Sequence, residues 1–356
     1  MTPTCYARPA VLSLLTVLVL QVDAAAMEAE TPAPAERIVT LSPDLTELVY
    51  TAGAGSSLVG VIDHSDYPAP ARELLRVGDA FGLDFERIGS LRPDLILAWD
   101  GGTPRRWIER LQELHFRVVA LGAHKLEDVA DELIEIGRLT GHEATAQSAA
   151  NDYLQQLGAL RAHNADARLL TVFFQISVQP LYTVGGSHAI SAMIELCGGH
   201  NVFDDLPALA ADVSPEAVLG RNPDVIISGD DAGEGALELW RRWPALTAVA
   251  HSDLYVVPAE LVTRSSTRVV EGAAEICKAL QHARGHAGAA KLHGAQGLQV
   301  AGQEGMAILR EARRLEARDE AGQRDHFTAP QPMVKRPIKA SMRASACSWV
   351  WAVRWV

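Results

Sequence analysis

Twelve histidines in a chain of 356 residues raise the question of a metal site first. The sequence holds no His-x-His pair, no HExxH helix and no histidine-rich loop, the spacings that bring ligands onto one face. His64 and His188 can meet across a cleft, with Glu260 as a further donor, and would then support an exported metal-dependent enzyme. Solvated surface histidines are the competing reading. Other chemistry is harder to find. The stretch "VGGSHA" places Ser187 beside His188 but lacks the last glycine of a nucleophile elbow. The glycines of "GAGSS" follow a helix and precede a strand, the wrong context for a phosphate cradle.

Two glutamates stand out by position. Glu86 opens "FERIGSLRPDLILAW" and Glu216 opens "PEAVLGRNPDVIIS". In each, a short helical stretch is followed by a Pro-Asp pair and then by a run of aliphatics. An acid in the first turn of a helix is favoured by the macrodipole. That accounts for one glutamate at a time, but the surrounding elements also recur in the same order, which marks an internal repeat.

The elements that must position these residues can be read from periodicity. "RIVTLSPDLTELVYTAGAG" is a strand and then a helix, with Ser42 to cap it, Pro43 in its first turn and Gly53 to end it. Strands then alternate with helices through "RVVALG", and "PRRWIERLQELHF" aligns Trp107, Leu111 and Leu114 on one helical face. An amphipathic helix and an Ala-rich helix of about six turns follow without an intervening strand, and the alternation then resumes. Aliphatic strands of this kind belong to parallel sheets covered on both faces. The expected fold class is α/β: two Rossmann-like lobes with parallel sheets, residues 36–125 and 166–284, joined by a long bridging α-helix within residues 126–165.

Composition bounds the rest. With 48% hydrophobic residues the chain can bury a sizeable core, and a net charge of −12 argues against a nucleic-acid partner. Residues 1–26 place Arg8 before an apolar run and end in the small residues of "VDAAAM", the layout of a secretory signal peptide. An uncleaved anchor is the alternative, although the run is shorter than the roughly 20 residues of a membrane span. Export means an oxidising compartment, and Cys5 then leaves with the signal. Of the remaining cysteines, Cys197 and Cys277 each lie near the end of an apolar-periodic segment, where they can pair as a disulfide or stay as buried thiols; Cys347 falls in the tail. Residues 285–356 lose periodicity and read as a disordered tail. Its Trp-rich end, "CSWVWAVRWV", is either a partner-binding peptide or an appendage without a fold.

Together "RIVTLSPDLTELVYTAGAG", "GVIDHSDYPAPA", "FERIGSLRPDLILAWDGG", "IELCGGHNVF", "VSPEAVLGRNPDVIISG" and "TRSSTRVVEGAAEICKAL" resemble the periplasmic cobalamin-binding proteins of bacterial ABC importers. These belong to the helical-backbone class of substrate-binding proteins, which also contains siderophore and haem receptors. The resemblance implies a monomeric receptor, not an enzyme, that captures cobalamin or a related corrinoid between its lobes. An iron-siderophore or haem receptor is the alternative within the class. The resemblance also implies delivery to an ABC importer permease dimer with its ATPase subunits, which Glu86 and Glu216 would dock. It implies no cofactor beyond the transported chelate. It places His64, Phe81, Trp99 and Tyr182 against the ligand, and Glu260 and Arg264 at its polar edge. Two tryptophans of the family's pocket are missing here, with Ala80 followed by Phe81 at one position and Ala210 at the other.

Overall fold

The computed structural model of the chain describes residues 33–293 apart from residue 234. The expected signal peptide, Cys5, Cys347 and most of the expected tail lie outside those residues. Among the described residues no helix is long and apolar enough to cross a membrane.

The first lobe is built from β1 (Ile38–Thr40), α1 (Pro43–Thr51), β2 (Leu58–Val61), α2 (Phe85–Leu91), β3 (Leu95–Trp99), α3 (Arg105–Glu113) and β4 (Val118–Leu121). Its four strands pair in the order β2-β1-β3-β4, all parallel. Ser42 caps α1 and Pro43 starts it, as expected. On α3, Trp107 and Leu111 are buried, but Leu114 is exposed because the helix ends at Glu113, before that face is complete.

Two helices follow, α4 (Asp128–Thr140) and α5 (Glu143–Asn164). Between them Gly141 adopts the left-handed conformation, φ 72°, that closes α4. The 22-residue α5 is the bridge. Near its start, Thr145 and His142 lie against Gly53 of the first lobe. At its end, Asn164 donates to Cys277 Sγ of the second lobe at 3.4 Å.

The second lobe comprises β5 (Leu170–Val178), β6 (Leu181–Val184), α6 (Ala189–Leu196), β7 (Gly199–Asn201), β8 (Ala210–Asp212), α7 (Pro215–Arg221), β9 (Val225–Gly229), α8 (Glu238–Arg241), α9 (Thr247–Ala250), β10 (Leu254–Val257), α10 (Ala259–Thr263) and α11 (Val269–His293). Strands β10, β9, β5 and β7 are mutually parallel along their pairings, as expected. The sheet also carries β6 and β8, both antiparallel to their neighbours, because the nine-residue β5 runs on into a hairpin. The closing helix α11 continues to His293, past the boundary at Arg284 expected from loss of periodicity.

The recurring unit has a structural reason. In α2 the Asp84 carboxylate caps the start and Arg92 ends the helix in the left-handed region; in α7 Ser214 and Asn222 do the same. The aspartate of each Pro-Asp pair then holds the start of a neighbouring strand. Asp94 accepts from the Glu36 and Arg37 amides at 2.9 and 3.0 Å, ahead of β1. Asp224 accepts from the Thr171 amide at 2.8 Å and its hydroxyl at 2.9 Å, in β5. The same corner of each sheet is therefore pinned by the same device.

Cys197 and Cys277 form a disulfide, with Cα atoms 4.7 Å apart, that ties the end of α6 to α11. It closes a loop of 80 residues in sequence, so its loss frees considerable chain entropy in the unfolded state. Cys277→Ser is expected to lower unfolding free energy by about 2–5 kcal/mol. Denaturant midpoints of the oxidised wild type and the variant check this, and reduction should bring the wild type down to the variant.

Candidate functional site

In an open parallel sheet the carboxyl ends of the strands carry the binding loops. Three residues expected against a ligand follow this rule in the first lobe. Trp99 is the last residue of β3; its amide donates to the Thr103 hydroxyl at 2.9 Å. Its ring packs with Ile62 and Ala80. It also lies so close over Gly102 that a Cβ there would sit 1.6 Å from the ring. Phe81, after Ala80, is 54% exposed, large for an aromatic side chain unless something covers it. His64 follows the end of β2 with a left-handed backbone, φ 62°. Its amide donates to Asp63 Oδ1 at 2.9 Å, and its ring Nε2 stands 3.8 Å from Asp63 Oδ2. Tyr182 lies on β6 of the second lobe, opposite Asp212, half-buried against the main core.

Glu260 and Arg264 do not work as a pair. Arg264, with only 14% of its side chain exposed, donates to Glu47 Oε1 at 3.0 Å and to Asp66 Oδ1 at 2.6 Å. Both acceptors belong to the first lobe, so the arginine spans the seam between lobes. Glu260 instead receives Arg268 at 2.9 Å, and that guanidinium stacks over the Tyr67 ring at 4.0 Å. Ser266 completes the seam by donating to Glu47 Oε2 at 2.6 Å, and Arg268 Nη1 stands 3.5 Å from Glu47 Oε1. Burial disfavours the Asp66 charge, but the hydrogen bond and charge of Arg264 outweigh it and hold the carboxyl below the usual range. Arg264 and Glu260 thus belong to a network at the seam whose other members are Glu47, Asp66, Tyr67, Ser266 and Arg268. Glu47 reads in the sequence as an unremarkable helix glutamate, and nothing local announces its partners.

The proposed metal constellation does not assemble. His188 caps α6, its Nδ1 accepting from the Ile190 amide at 3.1 Å, and burial pushes its pKa down to about 4. Glu260 is engaged by Arg268. Among the described residues no group of three or more His, Cys, Asp or Glu side chains is placed to hold a metal ion. A cavity of about 920 Å³ lies elsewhere, lined among others by Lys125, Glu127, Arg161, His188 and Leu209. None of the six residues expected against the ligand lines it.

Behind the seam, α1 and α4 bury two carboxyls. Asp44 is raised to about 6, chiefly by burial, against the Ser42 hydroxyl that donates to it. Glu132, 6% exposed, is raised to about 8 by burial and then by the nearby Asp44 and Asp128 charges; its Oε2 has no hydrogen-bond partner. Both values lie above those of an unfolded chain, so the native state holds protons that the unfolded state releases. Stability is therefore fullest below about pH 4 on account of these two groups, and their contribution is lost as pH rises through about 6 and then about 8. Glu132→Gln is expected to abolish the upper part of that decline, a few kcal/mol at about 1.4 kcal/mol per unit. Unfolding midpoints between about pH 5 and about pH 9 test it, and an unchanged slope in the variant contradicts it.

Comparison with known proteins adds to this geometry. The family described as "Periplasmic binding protein" matches residues 38–261. The chain is 35% identical over 254 residues to a vitamin B12-binding protein of Vibrio cholerae serotype O1, covering 71% of this chain and 92% of that one. A vitamin B12-binding protein of Pectobacterium carotovorum subsp. carotovorum is 36% identical over 247 residues, 69% of this chain and 88% of the relative. The crystal structure of the periplasmic vitamin B12 binding protein BtuF of Vibrio cholerae superposes with a TM-score of 0.66 at 34% identity, covering 70% of this chain and 98% of that one. A periplasmic heme-binding protein, RhuT from Roseiflexus, shares the fold at 21% identity, with a TM-score of 0.63 and coverage of 70% and 99%.

Proposed function

The chain belongs to the periplasmic binding protein family, and on that premise we propose that it captures cobalamin or a related corrinoid between its two lobes and delivers it to an ABC importer. The observation that carries the reading is the match, in sequence and in fold, over 92% and 98% of the length of vitamin B12-binding proteins. The site's chemistry supports it. Trp99 and the exposed Phe81 offer planar apolar area beside the strand ends of the first lobe, suited to a large flat ring system. Tyr182 contributes from the second lobe, while the buried Ala80 and Ala210 stand where two family tryptophans would have added to the aromatic wall.

In this reading Arg264 and Glu260 act at the seam: the ligand's polar periphery meets a network whose strongest bonds already run from lobe to lobe. The seam and the helical bridge α5 together limit hinge motion, so binding proceeds with modest closure. Glu86 and Glu216 sit at the second position of α2 and α7 and are the contacts for a permease dimer with its ATPase subunits. An N-terminal signal peptide delivers the chain to the periplasm. The protein carries cargo and catalyses nothing, in keeping with the substrate-binding relatives.

Tryptophan fluorescence titrations with cyanocobalamin, cobinamide, haemin and a ferric siderophore test the ligand class. Cyanocobalamin or cobinamide is expected to bind best, with Trp99→Ala weakening it about tenfold or more. Preference for haemin or the siderophore overturns the corrinoid assignment.

A further inference from the structure

We infer that His282 and His286 form a second binding site, for one divalent transition-metal ion of the zinc or copper type, on the last part of α11. It lies apart from the cleft. Asp253 and Tyr255, which support it, stand at the start of β10, whereas the ligand loops lie at the carboxyl ends of the strands. The site therefore stands whatever the cleft holds.

The spacing comes first. The stretch "HARGH" sets two histidines four residues apart within α11. Side chains at that interval are neighbours on one helix face, with β-carbons about 5–6 Å apart. It is the interval at which a pair of helical histidines binds a single zinc ion. The buried Ala283 stands where a metalloprotease helix has its glutamate, so the pair offers binding without a catalytic base. Arg284, two residues from each histidine, falls on the opposite side of a helix with 3.6 residues per turn. Its guanidinium is spent there, on the Arg168, Cys197 and Gly198 carbonyls at 2.8, 2.7 and 2.9 Å.

Orientation is the second ground. The Asp253 side chain is 3% exposed, and its backbone is held on both sides: its amide donates to the Ala248 carbonyl at 2.7 Å, and its carbonyl accepts the Ile226 amide at 3.0 Å. Asp253 Oδ1 accepts the Tyr255 hydroxyl at 2.9 Å and lies 2.8 Å from His286 Nδ1. A carboxylate only accepts, so Nδ1 carries the proton, and the neutral imidazole keeps its lone pair on Nε2, across the ring. A carboxylate bonded in this way orients a metal-ligating imidazole and raises its basicity. With 53% of the His286 side chain exposed, an ion reaches that nitrogen from solvent. The exposed His282 leans on the same support, its ring tilted over Tyr255 with centroids 6.4 Å apart. Two imidazoles and bound waters complete a four-coordinate ion, so no cluster of three side chains is needed. Imidazole donors select zinc and copper over calcium and magnesium.

The test uses the untagged full chain, stripped of metal with a chelator and titrated with zinc sulfate by calorimetry. One equivalent is expected to bind with about micromolar affinity. His282→Gln and His286→Gln are each expected to weaken it about tenfold or more, and the double variant to abolish it. Zinc should also raise the melting temperature of the wild type and leave that of the double variant unmoved, because only a protein that binds the ion is stabilised by it. The copper complex of the wild type gives a readout that needs no variant: its electron paramagnetic resonance spectrum is expected to show two imidazole nitrogens. Stoichiometric zinc binding that persists in the double variant overturns the assignment. So does a copper spectrum with one nitrogen or none, or a wild type that binds neither ion, which leaves His286 as an ion-pair partner of Asp253. None of these results bears on the corrinoid reading, which the cyanocobalamin titration tests separately.

Discussion

Replacing Glu47 with alanine is expected to cost about 3–5 kcal/mol of stability, the largest effect of any single change in the seam. Glu47 is 3% exposed and takes the Arg264 guanidinium and the Ser266 hydroxyl from the opposite lobe. Without it, Arg264 keeps only Asp66 from the first lobe. Arg268, whose Nε and Nη1 already lack hydrogen bonds, loses one of its two carboxylate neighbours and keeps Glu260. Two buried guanidinium groups left with one carboxylate each are under-compensated, which costs more than the lost pair is worth. Glu47→Gln should fall between wild type and alanine, because the amide can still accept from Ser266. Guanidinium denaturation of the three proteins reads the order. A loss below about 1 kcal/mol for Glu47→Ala would mean that the seam behaves as a surface ion pair, worth little in water.

Charge reversal at both Glu86 and Glu216 is expected to abolish ligand uptake while leaving ligand affinity and thermal stability nearly unchanged. Neither residue belongs to the seam network or to the proposed ring-binding wall. Each sits one residue after the start of a seven-residue helix, at equivalent corners of two related lobes. Glu86 is exposed, and Glu216 is partly covered. Duplicated lobes carrying matched acids suit a partner built from two copies of one subunit, with charge complementarity setting register and encounter rate. Uptake of labelled cobalamin by cells carrying the receptor with its own permease measures the effect, and single reversals should each cost about tenfold or more. Uptake at the wild-type level in the double variant contradicts the docking role. Loss of binding instead assigns the two glutamates to the fold or to the cleft.

Much of this was legible before any coordinates, for physical reasons that differ from residue to residue. The Pro-Asp pairs could be read as repeated punctuation because turn chemistry is local, although their actual duty, clamping the amides ahead of β1 and within β5, depends on strands distant in the chain. The pairing of Cys197 with Cys277 was one of two options, and the packing of α6 on α11 decided between them. What could not be read were partnerships fixed only by folding. Arg264 and Glu47 lie 217 residues apart, and nothing in "ELVTR" tells whether the arginine faces a ligand or a buried carboxylate. The burial of Asp44 beside Glu132 was hidden for the same reason, since both look like ordinary acids in a first turn and on an amphipathic helix. His188 appeared metal-competent because composition counts histidines, whereas its Nδ1 is spent on a helix start. The hairpin of β5 and β6 escaped because aliphatic runs look alike in parallel and antiparallel pairing.

The proposed function requires a corrinoid between the two lobes, against Trp99 and Phe81. The most direct measurement is a crystal structure of the purified chain grown with cyanocobalamin. One ligand is expected, its ring edge beside Trp99 and Phe81, with Tyr182 on the far side and the Arg264–Glu47 tie still in place beneath it. Cyanocobalamin found instead in the 920 Å³ cavity by Lys125 and Leu209, or a cleft left empty at saturating ligand, would contradict it.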